Sequence, residues 1–287
     1  RPIEKKWIKI EQIIESYTDI QKLDKSAKGP KLNSEQKKAI LDVKKSHIFN
    51  TFLLDGVTGS GKTEIYLSLI SDVIERGQDA LILVPEIGLI NQLNRRIEVR
   101  LGIKPSQYHS GLTENERFIT WKKIQESKTR IILGTRSAIL APFKNLGLIV
   151  VDEEHDISYK QQEGFRYSAR DLAVMRAKNF NIPVILGSAT PSLESFNQHV
   201  NNKYKYLTLK KRAGNAKLPS MHLVDLNKGH SDDGLSKLLI KSMNEHIENN
   251  GQILVFINRR GYAPTLICKT CNFIAECSRC DSRMTLY

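Results

Sequence analysis

The chain has 287 residues, 40% hydrophobic and 26% charged, the balance of a soluble globular protein with material for one large or two ordinary domains. Its 44 basic against 31 acidic side chains give a net charge of +13, which favours a polyanionic partner, nucleic acid ahead of a membrane surface. No apolar run is long enough for a membrane span, no secretory core opens the chain, and the four cysteines are confined to Cys268–Cys280; this excludes a disulfide framework and points to metal binding in a reducing cytoplasm.

The chain begins at Arg1 without an initiating Met, as a fragment or processed piece does. Residues 1–31 read as the end of an upstream region, with a short strand at Trp7–Ile10, a helix at Glu11–Glu15 and a linker at Asp24–Pro30. From Leu32 a new domain starts, with Asn33 or Ser34 capping a helix through Val43. The apolar Phe52–Leu54 predicts a buried strand that runs into Gly56-Val57-Thr58-Gly59-Ser60-Gly61-Lys62-Thr63, a match to G-x-x-x-x-G-K-[ST]. Glu64–Ile70 continues as a helix, the setting that pattern requires.

Each residue type in the loop has a physical reason. Glycines let the backbone aim its N–H groups inward at phosphate oxygens, and the helix N-terminus adds unpaired donors. Lys62 can reach the β- and γ-phosphates, and the Thr63 hydroxyl can ligate Mg2+. The stretch predicts nucleoside triphosphate binding.

Further strands are expected at Ala80–Val84, Pro105–His109, Arg130–Gly134, Leu148–Val151 and Val184–Gly187. A helix closes over Ile97–Gly102, and another over Leu112–Gln125 has Phe118, Trp121 and Ile124 on one face. Apolar strands without alternation, separated by helices, predict an α/β lobe with a parallel sheet covered on both faces. Two strand ends carry chemistry. After Leu148–Val151 come Asp152, Glu153, Glu154 and His155: Asp152 to hold Mg2+, Glu153 to orient the attacking water or take its proton, and His155 to relay the state of the γ-phosphate. After Val184–Leu186 comes Gly187-Ser188-Ala189-Thr190-Pro191-Ser192, where the Ser188 and Thr190 hydroxyls can bond to that acidic group and couple the two.

Residues 203–217 contain six basic and no acidic side chains, a solvated face or a DNA-contacting one. Leu235–Ile247 reads as an amphipathic helix and Gly251–Ile257 as a strand opening a second sheet. Cys268-x2-Cys271-x5-Cys277-x2-Cys280 is a zinc pattern, most simply one tetrahedral ion held by all four.

The phosphate loop, Asp152–His155 and Gly187–Ser192, in this order, resemble the superfamily 2 helicases. The finer wording is similar to the PriA family of primosomal replication-restart helicases: Leu32–Gln36, Val84–Ile87, His109–Leu112, Gly134–Ala138, Asp152–Asp171, Lys211–Asn215 and Asn258–Ala263, then the cysteine pairs. The resemblance covers Leu32 to the C-terminus. It implies a RecA-like ATP-binding lobe over residues 32–207, a connector over 208–250, the start of a second lobe over 251–267 and part of a zinc region over 268–287.

It also implies an ATP-dependent 3′-to-5′ DNA helicase that acts on stalled, forked and single-stranded DNA. Primosome proteins and single-stranded DNA-binding protein are the implied partners. Gln36 matches the residue that reads adenine; Pro85, Glu86, Thr135 and Arg136 match motifs that track the single strand; Tyr159–Tyr167 matches an aromatic-rich loop that couples DNA occupancy to hydrolysis. Residue chemistry agrees, since Phe165 and Tyr167 offer stacking faces and Lys160, Arg166 and Arg170 offer phosphate contacts. For zinc, the resemblance implies two ions, one bound by Cys268 and Cys271, the other by Cys277 and Cys280, each completed by cysteines beyond Tyr287. The arginine that completes the γ-phosphate site belongs to the second lobe, so the chain alone is expected to bind ATP weakly and to unwind nothing. Two other readings stand beside this one: another superfamily 2 translocase, and a fork-binding assembly platform that uses ATP little.

Overall fold

The computed structural model describes residues 23, 29–46, 48–213, 220–225, 231–232, 235–256, 265–268, 270–271, 273–278 and 283–284. The strand and helix expected between Trp7 and Glu15, most of the Asp24–Pro30 linker, Asn215, Asn258–Ala263 and Cys280 lie outside them. The chain divides into two compact units, Arg1–Lys217 and Leu218–Tyr287.

The first unit opens with α1 (Ser34–Lys44). Asn33 Oδ1 accepts from Gln36 N and Gln36 Oε1 accepts from Asn33 N, both at 2.8 Å, a reciprocal cap that fixes where the helix starts. In chain order follow β1 (Asn50–Gly56), α2 (Lys62–Glu75), β2 (Asp79–Leu83), α3 (Ile87–Leu101), β3 (Ser106–Tyr108), α4 (Glu114–Gln125), β4 (Ile131–Gly134) and β5 (Leu146–Asp152). Then come a small antiparallel hairpin of β6 (Lys160–Gln161) and β7 (Tyr167–Ser168), α5 (Ala169–Phe180), β8 (Pro183–Ser188), α6 (Leu193–Val200) and β9 (Lys205–Leu209).

Seven strands form one parallel sheet in the order β3-β4-β2-β5-β8-β1-β9. Successive residues of its central strands point to opposite faces, and both faces are covered. Phe52, Leu54, Ala80, Ile82, Val150 and Ile185 pack into the core under α1, α2 and α3. Leu53, Leu81, Ile149, Val151, Val184 and Leu186 pack into the other, with Ala169, Ala173 and Ala177 of α5. Two-sided burial is why these strands read as unbroken apolar runs. It also puts the carboxyl ends of β5, β8 and β1 side by side, where open α/β sheets bind their ligands.

Three local expectations change. In α4 only Ile124 is fully buried and Phe118 is exposed, because the helix meets the sheet at its C-terminal end near β3. The basic stretch after Lys203 contains β9, whose Leu207 and Leu209 face the core while Lys205 lies over the Phe52 ring; the sheet therefore runs on to Leu209. In the second unit, β10 (Ser231–Asp232) and β11 (Leu235–Ser236) form a short hairpin before α7 (Lys237–Glu248), which Ser236 caps. The strand expected at Gly251–Ile257 does not form over 251–256, and Leu254 and Phe256 are exposed; a strand needs a pairing neighbour, and no described residue supplies one. No helix among the described residues is long and apolar enough to cross a membrane.

At the entry to β2, burial pushes the Asp79 carboxyl up to about 6, against the pull of Arg130 at 3.3 Å. The folded chain therefore keeps a proton that the unfolded chain releases, so this group makes stability fall as pH rises from about 4 to about 6. Asp79→Asn is expected to flatten that part of the profile, measured as urea-unfolding midpoints across this range.

Candidate active site

The phosphate loop bridges the end of β1 and the start of α2. Gly59 and Gly61 hold left-handed backbone angles, φ 77° and 83°, that other residues adopt only under strain. A Cβ on Gly61 would also strike the Gln36 amide. Gln36 is buried, and its Nε2 donates to Ser60 O at 2.8 Å while its Oε1 closes the α1 cap. Its carboxamide therefore braces the loop against α1.

On the other side, Val57 N donates to Leu209 O at 3.1 Å and Ala213 N donates to Gly59 O at 2.7 Å, so the segment after β9 straps the loop. Glu35 holds that strap by accepting from Lys210 N at 2.9 Å and Lys211 N at 3.2 Å. Val57, Thr58 and Ser60 occupy the turn between these supports, and Thr63 lies in the first turn of α2. Lys62 Nζ donates to Gly56 O at 3.0 Å and lies 3.7 Å from Glu153 Oε1, with only 10% of its side chain exposed.

Asp152 ends β5, paired in register with Gly187 of β8. Tyr66 OH donates to Asp152 Oδ1 at 3.0 Å, and Tyr159 OH donates to Asp152 O at 2.6 Å. Burial, with Asp152 adding to it, pushes both phenols up, so each remains a neutral donor. Burial and then the Glu153 charge raise the Asp152 carboxyl, while the Tyr66 bond and Lys62 oppose that rise. Glu153 has φ 47°, a left-handed conformation costing a non-glycine residue about 1–2 kcal/mol. The turn separates neighbouring acids: Glu153 faces Lys62, and Glu154 goes inward.

Glu154 is the functional residue that sequence reasoning passed over. Its buried carboxylate accepts from Ser192 N (2.7 Å), Ser192 Oγ (3.0 Å), Ser195 Oγ (2.7 Å) and Arg170 Nη1 (3.3 Å). It ties the acidic turn to the turn after β8. Beside it, His155 Nδ1 and Ser188 Oγ are 2.7 Å apart, whereas Thr190 joins through its backbone N–H, which donates to Ser188 Oγ at 2.9 Å, and not through the hydroxyl expected from the sequence. Phosphate loop, acidic turn and hydroxyl turn thus converge from three neighbouring strands.

A family model for the DEAD/DEAH box helicases matches residues 33–199. The chain belongs to the DEAD/DEAH box helicase family. It is similar to the Replication restart protein PriA of Haemophilus influenzae, 47% identical over 89% of this chain and 35% of the relative. It is likewise similar to that of Bacillus subtilis, 39% identical over 95% of this chain and 35% of the relative. The chain therefore spans about a third of the length of these relatives, 35% in each case. Among solved structures, RecG bound to a three-way DNA junction matches with TM-score 0.50 and 23% identity over 66% of this chain and 25% of that one. The DUF1998 helicase MrfA matches with TM-score 0.52 and 20% identity over 80% and 36%. Both show the RecA-like helicase fold.

The residues expected to track DNA fall into two groups. Pro85 and Glu86 lead into α3, and Ser158 Oγ donates to Pro85 O at 3.1 Å. Arg136 Nη1 donates to Ser158 O at 2.9 Å and Lys160 O at 3.1 Å, joining the turn after β4 and Thr135 to the hairpin. Lys160, Phe165 and Arg166 are exposed on that hairpin; the Phe165 and Tyr167 rings lie 5.7 Å apart. Arg170 is not with them. It is buried, bound to Glu154, to Ser192 Oγ at 2.9 Å and to Asp171 at 3.0 Å, so it is a brace rather than a free phosphate contact.

The donors expected around Mg2+, the Thr63 hydroxyl and the Asp152 carboxylate, are hard oxygens of the kind that ion takes. In the second unit Cys268 and Cys271 are exposed and Cys277 is half-buried, all as free thiols. Ile267 and Ile274 bridge antiparallel, and Cys268 N donates to Phe273 O at 2.8 Å, closing a tight turn around the first pair. Backbone N–H groups of Cys271 and Thr270 hold the Cys268 thiol down to about 7.

Proposed function

We propose that the chain is the first ATP-binding lobe of a 3′-to-5′ DNA helicase that restarts replication at stalled forks. The observation that carries this reading is the convergence of Lys62, Asp152 with Glu153, and Ser188 with His155 on the adjacent ends of β1, β5 and β8, in a chain resembling replication restart proteins. Lys62 binds the β- and γ-phosphates, and Gly56–Thr63 wraps them with backbone N–H groups. Thr63 and Asp152 hold Mg2+, whose charge offsets that of the transferring phosphate. Glu153 orients the attacking water and accepts its proton. His155 and Ser188 then pass the state of the site to the turn that leads to α6.

The exposed Lys160, Phe165 and Arg166 contact single-stranded DNA by stacking and phosphate pairing. Their hairpin is bonded through Arg136 to the turn after β4, which is how DNA occupancy reaches the sheet ends. Gln36 recognises adenine, which requires its amide to leave Ser60 O or share it. The cysteine pairs bind zinc, supported by their spacing and by the tight turn at Cys268, in a protein that works in the cytoplasm with primosome components and single-stranded DNA-binding protein.

The test is Glu153→Gln in the full-length protein. Hydrolysis and unwinding of a labelled fork are expected to fall by about 10²–10⁴-fold, the usual worth of a general base, with nucleotide affinity retained. Restart in cells should fail with it. Normal restart without hydrolysis would establish the assembly-platform reading instead.

A further inference from the structure

Tyr66 lies one helical turn beyond Lys62 on α2, fully buried, and its side chain crosses to the strand ends. Its hydroxyl donates to Asp152 Oδ1 at 3.0 Å. It reaches that oxygen only through the space left by Gly187: a Cβ there would overlap the Tyr66 hydroxyl and crowd the ring carbon bearing it, at 3.0 Å. Gly187 needs no unusual backbone angle, for it is an ordinary β8 residue paired with Asp152 on one side and Leu54 on the other. Its missing side chain is what the site uses.

We propose that Tyr66 is a positioning residue that fixes the Asp152 carboxylate for Mg2+, and that Gly187 is glycine to let it do so. One phenol then interlocks the helix carrying Lys62 and Thr63, the acid at the end of β5, and the first residue of the Gly187–Ser192 turn. A carboxylate whose side-chain torsions are free must be ordered when the ion binds; the Tyr66 bond orders it beforehand. Tyr159 holds only the Asp152 backbone carbonyl; on the carboxylate itself the Tyr66 hydroxyl is joined by the Glu153 backbone N–H, and among the described residues Tyr66 is the one side chain that donates to it. This inference rests on the reading of Asp152 as the Mg2+-binding acid.

The experiment measures binding of a fluorescent, non-hydrolysable ATP analogue to the full chain, in EDTA and in excess Mg2+, with thermal unfolding as the check on folding. Tyr66→Phe keeps the packing and removes the donor. It is expected to bind like wild type in EDTA and about tenfold more weakly in Mg2+, the size of one lost hydrogen bond to a charged group. Equal affinity in Mg2+ would overturn the proposal. So would equal losses in both buffers, which would mark Tyr66 as merely structural.

Gly187→Ala should weaken binding more than Tyr66→Phe does, and the double variant should recover part of that loss because the hydroxyl in the way is gone. A double variant no better than Gly187→Ala would overturn the assignment of Gly187. Wild-type protein that binds equally with and without Mg2+ would overturn the Mg2+ reading itself, before any variant is compared.

Discussion

Glu154→Ala is expected to destabilise the first unit by about 3–5 kcal/mol, the cost of removing one partner from a buried ion pair. The carboxylate is wholly inaccessible and satisfies four donors at once: the Arg170 guanidinium, two serine hydroxyls and the Ser192 backbone N–H. Without it, Arg170 keeps the neutral Ser192 hydroxyl and two acids, Asp171 and Glu194, both 60% exposed and screened by water. Ser195 Oγ and Ser192 N lose their acceptor in a space too tight for easy hydration. Urea unfolding of the chain measures the loss. Glu154→Gln, which keeps one acceptor oxygen, should fall between wild type and Glu154→Ala; a loss below about 1 kcal/mol for Glu154→Ala would mean that the network is replaceable. The functional consequence lies next door, because the turn Glu154 anchors contains Thr190 and follows Ser188, the partner of His155.

Glu154 also shows where sequence reading stops. Glu153 and Glu154 are adjacent and chemically alike, and the left-handed turn at Glu153 alone decides which faces Lys62 and which is buried. Nothing in residue type announces that turn. Arg170 was lost for the same reason: a cation near an aromatic-rich loop suits DNA, but Glu154, the buried acid it braces, stands 16 positions back and meets it only when α5 packs against β5. β9 hides under its lysines, although Leu207 and Leu209 at alternate positions were a signal.

What was legible is the sheet and the order of its chemistry. Five apolar runs became β1, β2, β4, β5 and β8, because strands buried on both faces must be apolar throughout. Within Gly56–Thr63, Gly59 and Gly61 were legible because a left-handed backbone angle is a local requirement. Gln36 was half legible. The resemblance marks it as an adenine reader, while the geometry adds that it props the phosphate loop through Ser60 O.

The second large effect concerns Lys62. Its ammonium waits at the mouth of the loop, bonded to Gly56 O and facing Glu153, in a position with little access to water. In the proposed function a triphosphate entering the loop takes over that cation, which no other side chain of Gly56–Thr63 can replace. Lys62→Ala should leave folding nearly unchanged, since it removes one bond to a carbonyl and a 3.7 Å ion pair with the part-exposed Glu153. It should weaken nucleotide binding about 100-fold or more, the loss of roughly two charge-assisted hydrogen bonds at about 1.5–3 kcal/mol each.

Calorimetric titration of Mg2+ and a non-hydrolysable ATP analogue into the chain and into Lys62→Ala tests the central claim most directly. Saturable one-to-one binding by the wild-type chain, lost in the variant while its unfolding midpoint stays put, is the predicted result. Equal affinity in the two proteins, or no binding by either, would contradict the assignment of Gly56–Thr63 as the nucleotide site.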